Sequence, residues 1–354
     1  MKVTVKDYLH VRVGHPSLTA PSYQYLAPGS ELEVDGKLYN GDVYEGVNTW
    51  LKDAANNYYW SGGVDIRDIV SAITLQEYSE ADFWWHNDFK VGELWKKGLT
   101  GDKIKIAVLD SGIALPHPDL IVNQANLKDL TGSPSGIMDQ TGHGTHVAGI
   151  IIASNNGFGV KGLAYNSNFY LGKITNDIQG DDVSFLVKSI TWATDQAVDI
   201  ISISNGVTEN NAALESAVNS AIAKGILVVA AAGNKDETTG NNILYPANYN
   251  GVLSVGGVTK AHTPLADTIN ANDTNIFAPG EEILSTSLNK AYVTLTGSSQ
   301  ATPYVAGIAA LLLEAARKKN SNYKAHDLRT QLIDHADARP YGKLINPVNT
   351  LNNL

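Results

Sequence analysis

From Lys105 onward the chain repeats one pattern that leaves few folds open to it: short, almost wholly apolar runs separated by stretches of helical period. The runs lie at Ile106 to Leu109, Phe169 to Ile174, Ile200 to Ser204, Ile226 to Ala232 and Gly251 to Val255. Runs without polar alternation belong to strands covered on both faces, and therefore to a parallel sheet. Helices predicted at about Val183 to Gln196 and Ala212 to Lys224 supply the crossovers that such a sheet needs. The spacing thus predicts an α/β, three-layer parallel sheet with right-handed connections. Leu94, Trp95 and Leu99 mark a shorter amphipathic helix before it, stopped at Gly98.

Three stretches of this region carry residues that do chemistry. The first apolar run delivers Asp110 at its C-terminal end, followed by Ser111-Gly112; open α/β sheets place ligands and reacting groups at that edge. In Gly142-His143-Gly144-Thr145-His146-Val147-Ala148-Gly149, two histidines open an apolar helix. Thr296-Gly297-Ser298-Ser299-Gln300-Ala301-Thr302-Pro303 reads as a tight turn entering a buried helix, with Ser299 in the first turn, where unpaired N–H groups favour a developing anion. Each has a structural reading alone: a strand-end cap, a packed helix start, an N-cap serine. Together they hold a hydroxyl, a base to take its proton and an acid to orient that base. A two-histidine metal site is discarded, because His143 and His146 stand three residues apart with no acid between them.

These motifs resemble those of the subtilisin-like serine proteases, whose signatures D-S-G, H-G-T-H-V-A-G and G-T-S-M-A-[ST]-P appear here as DSG at Asp110, HGTHVAG at His143 and GSSQATP at Gly297. The chain order Asp, His, Ser is that of the family, and the resemblance extends over residues 82–354. Ser298 stands where the family usually has Thr, and Gln300 where it has Met, which spares the site thioether oxidation. Pro264 to Asn270 also departs from the usual pattern.

The resemblance implies a serine endopeptidase with Ser299 as nucleophile, His143 as general base and acid, Asp110 orienting it and Asn234 in the oxyanion hole; His146 is structural. It also implies that Gly180, within Gln179-Gly180-Asp181, and Ser204-Asn205-Gly206 flank an extended substrate strand. Lys235 and Leu244 would lie at the rim and floor of the primary pocket, making it shallower than one floored by glycine and tolerant of acidic side chains. A structural Ca²⁺ is implied at Asp119 and Asn156 with the carbonyls of Ser154, Phe158 and Val160; no organic cofactor is. The rival reading is a peptide-binding pseudo-protease or adaptor, against which the intact Asp110, His143, Asn234 and Ser299 argue.

Residues 1–68 differ in kind. Lys2 to Val5, Leu9 to Val13, Glu31 to Val34, Trp50 to Lys52 and Tyr58 to Val64 read as short strands at close spacing, which predicts a small all-β barrel. Leu9 to Ser17, the turn at Ala27-Pro28-Gly29-Ser30, and Trp50 with Tyr59-Trp60 resemble a bacterial SH3-like domain. Its aromatics Tyr23, Tyr25, Trp50, Tyr58, Tyr59 and Trp60 either form core and rim or line a groove for a peptide or cell-wall ligand. A connecting segment at 69–88 then leads to the catalytic domain at 89–354.

Composition limits the partners. A net charge of -10 and a pI near 5.3 offer no basic stripe for nucleic acid. The absence of cysteine excludes a disulfide framework, a thiolate metal site and a cysteine nucleophile. No apolar run reaches the length of a membrane span, and Met1 to Asp7 lacks the apolar core of a signal peptide. As it stands the chain reads as a soluble, unexported monomer acting on protein or peptide substrates; a leader or pro-segment already removed would make it secreted.

Overall fold

The computed structural model describes residues 2–35, 39–44, 47–64, 83–157, 159–235, 242–269 and 274–354. The chain divides into two compact units, Met1–Glu77 and Tyr78–Leu354. Most of the connecting segment expected at 69–88 lies outside the described residues. Its last residues form a helical turn, Trp84–Asn87, and Phe83 and Trp85 pack into the core of the second unit.

The second unit is built on a nine-stranded sheet. In spatial order its strands are Asp337–Arg339, Gly342–Leu344, Ile276–Pro279, Leu253–Val258, Leu227–Ala231, Ile200–Ile203, Lys105–Asp110, Asn168–Lys173 and Leu127–Asp129. Period-two alternation explains its three layers. On the strand Lys105–Asp110, Ile106 and Val108 enter one hydrophobic core with the helices His143–Ile152 and Ser298–Lys319. Ala107 and Leu109 enter the other, with the helices Val183–Asp195 and Ala212–Ala223. Both faces are covered, which is why these runs carry no polar alternation.

The expected parallel sheet carries an antiparallel pair at one edge. Asp337–Arg339 and Gly342–Leu344 pair antiparallel, because the two residues between them can close a hairpin but cannot make a crossover. The described pairs in the rest of the sheet are parallel.

The first unit is all β. Five antiparallel strands run in the order Ser22–Leu26, Leu9–Val13, Asn57–Trp60, Val47–Lys52, Tyr39–Tyr44, and Lys2–Thr4 pairs with Glu31–Glu33 in a separate two-stranded sheet. Val3, Leu9, Val11, Leu32, Leu51 and Tyr59 belong to its core. Two strands, Ser22–Leu26 and Tyr39–Tyr44, escape the sequence pattern because they are polar and aromatic rather than alternately apolar. The last predicted strand stops at Trp60, where Ser61–Gly63 turns as a short 3₁₀ helix. Trp50, Tyr58 and Tyr59 are buried, whereas Tyr25 is 61% exposed beside His10.

Candidate active site

Three neighbouring strands end together. Lys105–Asp110 terminates in Asp110, Ile200–Ile203 leads directly into Ser204, and Leu227–Ala231 leads through Ala232-Gly233 to Asn234. The helices beginning at His143 and Ser298 start at this same edge, as the following contacts show.

Asp110 is fully buried, and its Oδ1 accepts the Nδ1–H of His143 at 2.8 Å and the N–H of Ser111 at 2.7 Å. That bond fixes the imidazole tautomer that leaves Nε2 free to take a proton. The charge of Asp110 is the main reason that His143 is raised from 6.5 to about 8; burial opposes the shift, and the bond to Asp110 and the charge of Asp139 add to it. The His143 side chain is 29% exposed, so it opens to the cleft while its partner does not.

Asp139 is a residue the motifs did not announce. Its carboxylate accepts N–H groups from Thr141, Gly142 and Thr145 at 3.0, 2.9 and 2.9 Å, and the hydroxyls of Thr145 and Ser111 at 2.6 and 2.9 Å. Of the unpaired amides at the start of the His143 helix, that of Thr145 is thereby satisfied, and Gly142, at φ +87°, supplies the left-handed turn into it. Burial pushes the Asp139 carboxyl up, but these donors outweigh it and hold the group below its ordinary value. Ser111 Oγ, accepting from Gly144 N at 2.9 Å, ties the strand end to the same helix. An acid four residues before an apolar helix was the available signal.

Ser299 owes its setting to Pro303. A proline four residues on cannot donate to the Ser299 carbonyl, and that carbonyl instead accepts Ser204 Oγ at 2.9 Å. In return Ser299 Oγ donates to the Ser204 carbonyl at 3.0 Å. The structure therefore joins Asp110 to His143 and Ser299 to Ser204, while no hydrogen bond links Ser299 to His143. Asn234 is oriented by Ser298, whose N–H donates to Asn234 Oδ1 at 3.1 Å; the amide thus turns Nδ2 away from that bond, beside Gly297 and the start of the serine helix. His146 is fully buried between the carbonyls of Ile283 and Val293, at 3.0 and 3.1 Å, and burial lowers it to about 4.

A model of the subtilase family matches residues 101–350. The chain belongs to the subtilase family. Its second unit is a subtilisin-like serine endopeptidase domain, and the family match takes in no residue of the first. Among curated relatives, the major intracellular serine protease of Bacillus subtilis is 42% identical over 232 residues, 63% of this chain and 72% of that protein. Subtilisin DY of Bacillus licheniformis is 36% identical over 260 residues, 73% of this chain and 94% of the relative. The minor extracellular protease Epr of Bacillus subtilis is 37% identical, and the match spans 71% of this chain but 38% of Epr. A solved structure of a protease from Pseudoalteromonas arctica superposes with a TM-score of 0.68 at 25% identity, covering 77% of this chain and 97% of that one.

In this subtilase domain the residues expected to meet substrate lie as follows. Gly180 sits in a short hairpin, Gly180–Asp181 paired with Thr175–Asn176. The hairpin is anchored by Lys173, whose buried Nζ donates to Asp177 Oδ1 at 2.7 Å, Ser135 Oγ at 2.9 Å and the Met138 carbonyl at 2.7 Å. Lys235 is exposed next to Asn234. Leu244 is half-buried against Gly206 and Gly233.

The expected cation ligands gather around Asp119, which is fully buried. Its carboxylate accepts Asn156 Nδ2 at 3.0 Å and Val160 N–H at 2.9 Å, and Ser154 N–H donates to its carbonyl at 2.9 Å. Phe158 lies outside the described residues. Burial raises the Asp119 carboxyl to about 6, and no cationic side chain pairs with it among the described residues. Nor do three or more His, Cys, Asp or Glu gather at any one point among those residues. The groups seen bonded to the Asp119 carboxylate among the described residues are N–H donors, from Asn156 and Val160, rather than oxygens turned toward a common point.

Proposed function

We propose that Ser299, His143, Asp110 and Asn234 form the reacting centre of this endopeptidase. The observation that carries the reading is the bond from the partly exposed His143 to the fully buried Asp110, 2.8 Å long, at the edge where Ser299 opens its helix. Ser299 gives its proton to His143 Nε2 as its Oγ attacks the substrate carbonyl carbon. Asn234 Nδ2 and the N–H of Ser299 donate to the resulting oxyanion. His143 then passes the proton to the departing amine as the C–N bond breaks. Water, deprotonated by His143, cleaves the acyl-enzyme and returns Ser299.

The substrate backbone lies between Gly180 and Ser204-Asn205-Gly206 as an added strand, so main-chain bonds supply broad affinity. A substrate N–H that takes the Ser204 carbonyl also releases the Ser299 hydroxyl from it. Rotation about the Cα–Cβ bond then carries Oγ to His143. Catalytic hydrogen bonds commonly tighten only when substrate binds. Lys235 places a positive charge at the rim of the primary pocket, which favours acidic side chains nearby.

Asp119, Asn156 and the carbonyls of Ser154, Phe158 and Val160 would hold Ca²⁺, whose charge would hold Asp119 ionised and stiffen its loop. The SH3-like reading of residues 1–68 rests on their antiparallel strands and exposed aromatics, which suit a peptide or cell-wall ligand. The test of the centre is fluorophosphonate labelling and casein hydrolysis by the full chain beside Ser299→Ala. Both signals vanish in the variant if Ser299 is the nucleophile; a well-folded wild type that is neither labelled nor active refutes the assignment.

A further inference from the structure

We infer that Gln300 supplies a third donor to the oxyanion, its side-chain amide acting beside Asn234 Nδ2 and the N–H of Ser299. The inference rests on the proposed reacting centre and adds a catalytic residue to it.

Gly297 leaves open the space that the Cβ of any other residue would fill. That position lies 3.0 Å from Asn234 Nδ2, 3.2 Å from Gln300 Oε1 and 3.7 Å from the backbone nitrogen of Ser299. Both proposed oxyanion donors and the Gln300 amide therefore border one gap, at the start of the helix that carries Ser299. The backbone around the gap is tied down. Ser298 N–H donates to Asn234 Oδ1 at 3.1 Å, Gln300 N–H to the Gly297 carbonyl at 3.2 Å, and Ser204 Oγ to the Ser299 carbonyl at 2.9 Å.

The Gln300 side chain is not tied in this way. Gln300 is 2% exposed, yet no hydrogen bond to its amide is seen among the described residues. Burying an amide without a partner is destabilising, and the Met that the family usually has at this position would carry no such cost. Nor is the amide sealed in: unlike the hydroxyl of Ser298, its end keeps contact with solvent. A group buried along its length and open at its tip, in a gap bordered by oxyanion donors, finds its partner when substrate arrives.

In the resting site the oxygen end of Gln300 borders the gap. A developing oxyanion repels that oxygen. The last torsion of a glutamine side chain is broad and roughly two-fold, so a half-turn brings Nε2, with its two N–H donors, to the same place. The new bond forms as charge develops on the substrate oxygen, and an interaction made in the transition state and not before raises kcat rather than substrate affinity. Gln300 transfers no proton.

The test measures kcat and KM on a peptide p-nitroanilide for wild type, Gln300→Met and Gln300→Glu. The first substitution keeps the length and removes the donors; the second keeps the shape and replaces the donors with acceptors. Gln300→Met should lower kcat about tenfold with KM unchanged, short of the roughly 10²- to 10³-fold cost of losing a preformed donor, and Gln300→Glu should lower it further. A peptide boronic acid, whose tetrahedral adduct on Ser299 sets an oxygen in the gap, should lose affinity about as much as kcat falls. Binding of the uncleaved peptide to Ser299→Ala should be the same with and without Gln300→Met. Fluorophosphonate labelling of both variants, followed to completion, reports that Ser299 and His143 remain assembled. A kcat that is unchanged or raised in Gln300→Met, or boronate and peptide affinities that fall together, overturns the inference. A folded wild type that is neither labelled nor active counts instead against the reacting centre itself.

Discussion

As the proposed general base, His143 must be neutral at Nε2 to take a proton, and its surroundings oppose that. Asp110, buried 2.8 Å away, and Asp139 both favour the imidazolium and raise His143 from 6.5 to about 8. At roughly 1.4 kcal/mol per pH unit, the resting site favours the charged form by about 2 kcal/mol relative to a free histidine. At pH 7 only about a tenth of the enzyme then carries the active base, so kcat/KM should climb close to tenfold per unit up to a midpoint near 8 and level off above it. Stability runs the other way. Because the folded-state value lies above the ordinary one, the contribution of the His143–Asp110 pair is present in full below about 6.5 and is lost as pH rises through about 8. The assay is kcat/KM on a peptide p-nitroanilide from about pH 5 to about pH 10, with melting temperature followed in the same buffers. Asp139→Asn, which removes the more distant charge, should move the midpoint down. A wild-type midpoint at or below 6.5 would refute the argument that two carboxylates govern this histidine.

Other perturbations follow from the same contacts. Asn234→Ala should lower kcat by about 10²- to 10³-fold with little change in KM, a range taken over from a subtilisin rather than worked out for this molecule; steady-state kinetics decide it. Asp139→Ala strips the acceptor from Ser111, Thr141, Gly142 and Thr145 around the start of the His143 helix and should cost about 2–4 kcal/mol in denaturant unfolding, with kcat falling as the imidazole loses its seat. Lys173→Met leaves Asp177 and the Met138 carbonyl without their shared donor; the loosened Gly180 hairpin should raise KM more than it lowers kcat, and unchanged KM would detach that hairpin from substrate binding. Chelator should lower the melting temperature, added Ca²⁺ should restore it, and Asp119→Asn should abolish the difference; at 100 times the dissociation constant, bound cation contributes about 2.7 kcal/mol.

The parts of this molecule legible in the sequence are those where one residue type serves one local need. Buried strands announced themselves because two covered faces leave mostly apolar residues and no polar alternation, and Asp110, His143 and Ser299 could be placed because strand ends and helix starts are short-range features. Asp139 was harder to see. Most of its donors are local, at Thr141, Gly142 and Thr145, but the bond from Ser111, 28 residues away, is one that only the fold supplies. The strands Ser22–Leu26 and Tyr39–Tyr44 were hidden for another reason: they are polar and aromatic, and Gln24, Tyr25, Asp42 and Tyr44 stay exposed, so no apolar alternation marks them. The resting direction of Ser299 lay further beyond reach. Pro303 could be seen to deny the Ser299 carbonyl its helical partner, but that Ser204 would take up both the carbonyl and the hydroxyl depends on two segments 95 residues apart meeting back to back. Leu244 makes the same point: its packing against both Gly206 and Gly233 brings together segments that no local pattern connects.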